Sequence, residues 1–450
     1  MRIRCKNIFD LFVMFLVIGI LACVGCGNGS SSGFSHPGEQ PYIIMVVVDT
    51  LRADHMSRVG YGRDTTPHLD EFSLSADVFE NAISAAPWTV PSYVSLMTGM
   101  DAFNHNQNTP PDGTPVNRTM LPEYLQQEGY RTVRILANCF VASFENGFDE
   151  NYNYCSIVNG RDADQRVIDK AIEWLSDEYN AGNKFFMLIW LNSPHWPYEP
   201  DNEDLEEFVS DELYLNAPPF SMVFDCDSIG AIFPEDLSPE LQTILASSLN
   251  GSECYQDYRL YVATYDSEIR YVDAMIGEFW DYLKEKDLYN KSMILFTADH
   301  GENMIDHRIY FSHGENLYHS LIHVPLMIKF SNQETQKIID TPVRTIDALP
   351  TALSTANIGI ENVDGKSLLP FVQGDYVDTE DRPCLSYVAL LATGGTAVSV
   401  TTNQYKLIKT PQGDELYDLL QDPGETDNVI SLYPEVYSSL DEYLSRFYLY

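Results

Sequence analysis

Tyr42–Thr50 reads YIIMVVVDT. The run is almost continuously apolar, rich in β-branched residues and closed by an aspartate. That pattern fits a strand buried on both faces, as inside a parallel sheet, better than the alternation of a half-exposed strand. Outward from it, strand-like and helix-like stretches alternate. Met120–Glu128 predicts a helix, RTVRILA a strand, DADQRVIDKAIEWLSDEYN a helix and KFFMLIWLNS a strand. YDSEIRYVDAMIGEFWDYLKEKDL predicts a long amphipathic helix, SMILFTADH and HVPLMIKF two further strands, and TIDALPTALSTA a helix. The alternation predicts an α/β fold with a doubly wound, mostly parallel central sheet and helices on both faces.

In such sheets ligands sit beyond the carboxyl ends of the strands. That rule selects Asp49, His195 and the pair Asp299–His300, the polar groups at which the apolar strands stop. Any one of them alone reads as a strand-end residue capping the next helix. Two strands ending on acids, with His300 adjacent, instead form a donor set for Ca²⁺, Mg²⁺, Mn²⁺ or Zn²⁺. The tail has another character: SYVALLATGGTAVSVTTNQYKLIKTPQGDELYDLLQDP reads as an antiparallel meander. The turn-rich GDYVDTED before it sets a boundary between a unit at 41–375 and a C-terminal subdomain at 376–450.

Several motifs now fall in order along the chain. They are VVVDTLRADHMSRVGYGRDTTPHLDEFS, FENAISAAPWTVPSYVSLMTG, LNSPHWPYEP, FTADHGEN and HGENLYHSLIHVPLMI, followed by DGKSLLP and YKLIKTPQGDELYDLLQDPGETDN. Together they resemble the sulfatase family of the alkaline phosphatase superfamily, from about Pro41 to Asn428. The resemblance implies an ester hydrolase with one divalent metal ion, of Ca, Mn or Zn type. Asp49, Asp299 and His300 match its metal ligands, and Thr89 falls on the nucleophile, which also ligates the metal. His195 and His313 match residues that contact the transferred group or protonate the leaving oxygen. A bound cation would activate an otherwise weak alcohol nucleophile.

The departures from that pattern are as informative. Formylglycine forms from Cys or Ser, so none is expected from Thr89. Tyr93 stands where an arginine is expected, Thr50 where a second acid is expected, and LANCFVASFENGF replaces the GKxH element. Threonine relatives in the superfamily transfer phosphoryl or phosphoglycerol groups through phosphothreonine. The expectation is therefore a metal-dependent hydrolase of sulfate or phosphate esters using Thr89 through a covalent intermediate. A transferase on the same fold, and a catalytically silent surface-anchored binding protein, are the alternatives. Thr89 as a mere helix N-cap is the bland reading of the same residue. The remaining histidines His55, His68, His307, His319 and His323 read as structural or surface groups, and Trp88, Trp190 and Trp196 as core or pocket wall.

The first 26 residues read as a targeting signal: a basic head, an apolar run too short to span a bilayer, then LACVGCGNGSSSG, which resembles a bacterial lipoprotein signal. Cys26, or Cys23, would carry the lipid, with a Gly/Ser tether over 27–40. The expectation is an exported protein, lipid-anchored to the bacterial cell envelope, periplasmic or at the cell surface. In an oxidising compartment, Cys139–Cys155 and Cys226–Cys254 are close enough in sequence to pair. A formal net charge of −39 excludes nucleic acid as a partner and disfavours a polyanionic one. The expected substrate is a small-molecule, glycan or lipid ester.

Overall fold

The computed structural model describes residues 41–447, apart from 106, 109–115, 156–159, 218–231, 234, 236, 250, 252, 375–381 and 391–393. The expected signal, the tether, Cys23, Cys26, Cys226 and most of the GDYVDTED boundary lie outside the described residues.

Burial on both faces is what the opening run demanded, and Ile43–Val48 are all fully buried. The strand β1 (Tyr42–Val48) pairs in parallel with β5 (Phe185–Leu191) on one side and β6 (Ser292–Ala298) on the other. Beyond β5 lie β3 (Arg131–Leu136) and β4 (Glu150–Asn153), also parallel. Beyond β6 come β7 (His323–Lys329), β2 (Asp77–Ile83) and β8 (Lys337–Ile339), with β9 (Val343–Arg344) also on β2. In this nine-stranded sheet only β7 runs antiparallel to its neighbours β6 and β2. The direction of β7 was not legible in HVPLMIKF, because a strand buried on both faces carries no pattern that encodes its sense.

Helices cover this sheet. Gly160–Ala181 packs on β3 and β5 and against the long helix Tyr258–Glu285, which also meets Pro67–Ser73. A second group, Thr89–Thr98, Leu121–Gln127 and Ala348–Thr355, packs together, with Ala348–Thr355 reaching β6. The C-terminal meander is a four-stranded antiparallel sheet, β10 (Cys384–Ala389), β11 (Thr396–Thr401), β12 (Tyr405–Thr410) and β13 (Gly413–Asp418), in chain order. A terminal helix, Pro434–Phe447, packs on β11 and β12.

This small sheet is fastened to the large one close to the strand ends. The Tyr387 amide donates to the Ala85 carbonyl and the Ser386 hydroxyl to the Ser84 carbonyl. Lys406 and Glu425, both buried, form an ion pair at 2.7 Å, and the other Glu425 oxygen accepts the His319 amide. Cys139 and Cys155 form a disulfide, and Cys254 is also disulfide-bonded. Among the described residues no helix is long and apolar enough to cross a membrane.

Candidate active site

The register brings four strand ends to one edge. Val48 of β1 faces Leu191 of β5 and Ala298 of β6, and Trp190 of β5 faces Leu136 of β3. The chain segments that leave these strands carry Asp49, Asn138, His195 and the pair Asp299–His300, as the strand-end rule requires.

Asp49, Asp299 and His300 each offer a ligand atom within 4.8 Å of the others, and all three are buried. The His300 Nε2 lies 3.3 Å from Asp299 Oδ2, 3.7 Å from Asp49 Oδ1 and 3.3 Å from Thr89 Oγ1. Its Nδ1 is 2.8 Å from the Gly301 carbonyl and must donate there, which leaves the Nε2 lone pair facing the cluster. One oxygen of each acid is satisfied. Asp299 Oδ1 accepts the amides of Thr50 and His300, and Asp49 Oδ2 accepts the Asn138 side-chain amide at 2.6 Å and the Trp190 indole. The other oxygens, Asp49 Oδ1 and Asp299 Oδ2, are buried without a hydrogen-bond partner.

Burial pushes the Asp49 carboxyl above its ordinary range, although the charges of His195 and His313 pull it down. Burial and the charge of Asp49 push Asp299 well up. Burial, with His313 and His195 nearby, holds His300 neutral, its pKa well below the usual value. Two orphaned carboxylate oxygens facing an imidazole lone pair suit a divalent cation, and the residues present fit one.

Thr89 is the first residue of the helix Thr89–Thr98, and Trp88 rather than Thr89 takes the N-cap position. The capping alternative for Thr89 is therefore not met: its hydroxyl turns to His300. His195 and His313 stand next to the cluster. Their ring centroids lie 5.0 Å apart, and His313 is 4.6 Å from His300. The Nδ1 of His195 faces the Trp196 carbonyl, and that of His313 faces the buried Glu302 carboxylate at 3.2 Å. Burial opposes charge on His313, but Glu302 outweighs it and the pKa is raised. With Nδ1 so engaged, Nε2 is the other ring nitrogen each histidine can bring to the reaction. The loop before His195 is fixed from below, because the buried Asp164 carboxylate accepts the amides of Asn192 and Ser193.

Tyr93, in the arginine position, does not enter the cluster. It is fully buried, packs on Phe144 and Trp190, and donates to the Phe144 carbonyl at 3.2 Å. Three groups that serve the site were missed in the sequence: Asn138, Asp164 and Glu302. Asn138 follows a parallel strand just as Asp49 does, so the strand-end rule could have found it. Glu302 lies two residues past His300, but nothing in the sequence pairs it with His313. Of the histidines read as structural, His55 pairs with Asp266 and His307 stacks on Tyr318.

With this geometry in hand, residues 41–358 match the family model described as Sulfatase, and residues 306–447 match the C-terminal model of N-sulphoglucosamine sulphohydrolase. The chain belongs to the sulfatase family. As a sulfatase-family hydrolase it is 24% identical to arylsulfatase K of Gallus gallus, over 96% of this chain and 86% of that one. It is 21% identical to the ulvan-active sulfatase of Formosa agariphila, over 87% and 77% of the two chains. Its fold matches a protein solved with its substrate D-glucosamine-2-N,6-O-disulfate (TM-score 0.75, 18% identity, 91% and 97% of the chains). The phosphonate monoester hydrolase of Agrobacterium radiobacter is similar as well, with a TM-score of 0.71, 19% identity and 90% and 94% coverage.

Proposed function

We propose that this chain hydrolyses the sulfate ester of a small alcohol, or a parallel phosphorus ester, with Thr89 as the nucleophile. The observation that carries the reading is the Thr89 hydroxyl 3.3 Å from His300 Nε2, beside the two orphaned carboxylate oxygens. Asp49, Asp299 and His300, with Thr89, would hold one divalent cation. When bound, such an ion lowers the pKa of an alcohol ligand and offsets charge on the ester oxygens.

The chain's own groups do the rest. Thr89 Oγ1, having released its proton to solvent, forms a bond to the sulfur or phosphorus as the bond to the departing oxygen breaks. His313, steadied by Glu302, gives that oxygen a proton, while His195 binds the anion. Water then attacks the Thr89 ester, returns the hydroxyl and restores the proton to His313. The names of the relatives favour sulfate esters, among them those of arylsulfatase K and the ulvan-active sulfatase. A threonine ester cannot collapse as a formylglycine hydrate does, which favours phosphorus esters and accords with the phosphonate monoester hydrolase neighbour.

Export and a lipid anchor at Cys26 or Cys23 belong to the same reading, supported by LACVGCGNGSSSG and by the Cys139–Cys155 disulfide. Turnover of 4-nitrophenyl sulfate, bis(4-nitrophenyl) phosphate and 4-nitrophenyl phenylphosphonate with Mn²⁺, Ca²⁺ or Zn²⁺ is the test. Thr89→Ala is expected to lose at least about a thousandfold in kcat, the scale of removing an activated nucleophile. A mutant as active as the wild type would end the nucleophile assignment. So would a wild type inert with every ester and metal.

A further inference from the structure

Next to His195 lies a cavity of about 220 Å³. Its lining includes Asn138, whose side-chain amide is bonded to Asp49, so the cavity adjoins the cluster that holds Thr89. Phe140, Trp196 and the Cys139–Cys155 disulfide line it as well. Phe140 is 50% exposed, although a phenylalanine ring ordinarily seeks burial.

The mount is rigid. The Phe140 amide donates to Asn138 Oδ1 at 2.8 Å, and the neighbouring Cys139 is tied to Cys155, just past β4. With its backbone tied in this way, the half-exposed ring sits on a pre-organised segment, so a ligand that packs on it spends little on ordering that backbone. Among the described residues the lining contains no lysine, arginine, aspartate or glutamate, and His195 is its one titratable side chain.

We propose that this cavity is the subsite for the alcohol part of the ester, and that it takes a single uncharged ring with an apolar face. The inference rests on the reading that the ester group sits at Thr89. Aryl groups and the apolar face of a neutral hexose share the required chemistry: both stack on aromatic walls. A ring carrying a second sulfate would find no cation here and would meet a chain of net charge −39. The disulfated glucosamine of the fold neighbour is thus the kind of ligand this site rejects.

The test is calorimetric binding to Thr89→Ala protein with saturating Mn²⁺, so that it does not depend on turnover. The probes are 4-nitrophenyl sulfate, N-acetylglucosamine 6-sulfate and glucosamine-2-N,6-O-disulfate. The expected order has one or both monosulfated rings binding at least tenfold more tightly than the disulfate. The tighter of the two distinguishes an aryl from a sugar body. Adding Phe140→Ala should weaken the preferred ring by about tenfold, a loss of about 1.4 kcal/mol. Equal or tighter binding of the disulfate, a silent Phe140→Ala, or binding of none of the three overturns the subsite. Loss of turnover in Thr89→Ala alongside a silent Phe140→Ala leaves the nucleophile standing without the subsite. Ring-selective binding to a protein that turns over no ester does the reverse.

Discussion

Thr50 holds a backbone that threonine rarely adopts, with φ at 56°. A β-branched residue there is strained by about 1–3 kcal/mol, and such strain persists only when its surroundings impose it. The cause is visible: the Thr50 amide must reach Asp299 Oδ1, and its carbonyl accepts the Tyr265 hydroxyl at 2.7 Å. The Thr50 hydroxyl itself is buried without a partner. This position is where the family pattern carries a second acid. Thr50→Asp exchanges a residue poorly suited to the left-handed region for one that tolerates it, and adds a carboxylate beside Asp49. In EDTA the variant should melt below the wild type, since a further carboxylate joins two that already lack a counter-ion. With Mn²⁺ the order should reverse, and calorimetric affinity for the ion should rise at least about tenfold, or ~1.4 kcal/mol. An unchanged metal affinity would show that the Thr50 side chain does not face the cluster.

The segment after β3 is organised by Arg134. Its guanidinium, 1% exposed, donates to the carbonyls of Val141, Phe144 and Ala142 at 2.6–2.9 Å and to Asn151 on β4. Tyr93 adds its own bond to the Phe144 carbonyl. The two side chains thus wrap the turn that places Asn138 on Asp49 and Phe140 on the cavity. Arg134→Met removes four hydrogen bonds from a charged donor at once, leaving the Val141 carbonyl only the Phe144 amide and the Phe144 carbonyl only the Tyr93 hydroxyl, and each such bond is worth about 1.5–3 kcal/mol. Urea denaturation should show a loss of at least ~3 kcal/mol, and hydrogen exchange should rise across 138–148; a rise spread evenly over the chain would refute a local role. Much of the site was legible without coordinates, because β1, β5 and β6 are continuous apolar runs that stop abruptly at Asp49, His195 and Asp299. Arg134 and Tyr93 were not. Arg134 sits within a strand where an occasional polar residue is unremarkable, and its partners are main-chain carbonyls that no side-chain pattern reveals. The strands β4, β8 and β9 escaped for a related reason: ENYN, KII and VR are too short or too polar to show a period.

Across the whole molecule, 66 acidic side chains face 27 basic ones, and several of the acids are buried. Burial pushes Asp164 up to about 7, despite the amides of Asn192 and Ser193 that hold it down, and Asp273 up to about 7 against the amides of His68 and Leu69. Burial likewise raises Asp77 to about 6. These folded-state values lie above the ordinary aspartate value near 3.8. The folded protein therefore binds these protons more tightly than the unfolded chain does. Their contribution to stability is complete below about pH 4, where both states are protonated, and is lost as pH rises through 6 to 7. Repulsion among the surface carboxylates grows earlier, as they ionise around pH 4 to 5, and acts in the same direction. Asp306 opposes them: burial raises it, yet Arg52 holds it below the ordinary range, so it loses stability toward acid. The buried trio outweighs it above pH 5, where Asp306 is already ionised in both states. Stability at fixed metal loading should consequently peak in mildly acidic buffer and fall between pH 5 and 8. Asp164→Asn, which cannot ionise, should flatten that fall by at least ~1.4 kcal/mol, the value of one pKa unit. Parallel urea titrations of the two proteins at pH 5, 6, 7 and 8 decide it. Curves that remain parallel across the range would mean that Asp164 is ionised in the folded protein throughout, held so by its two amide donors.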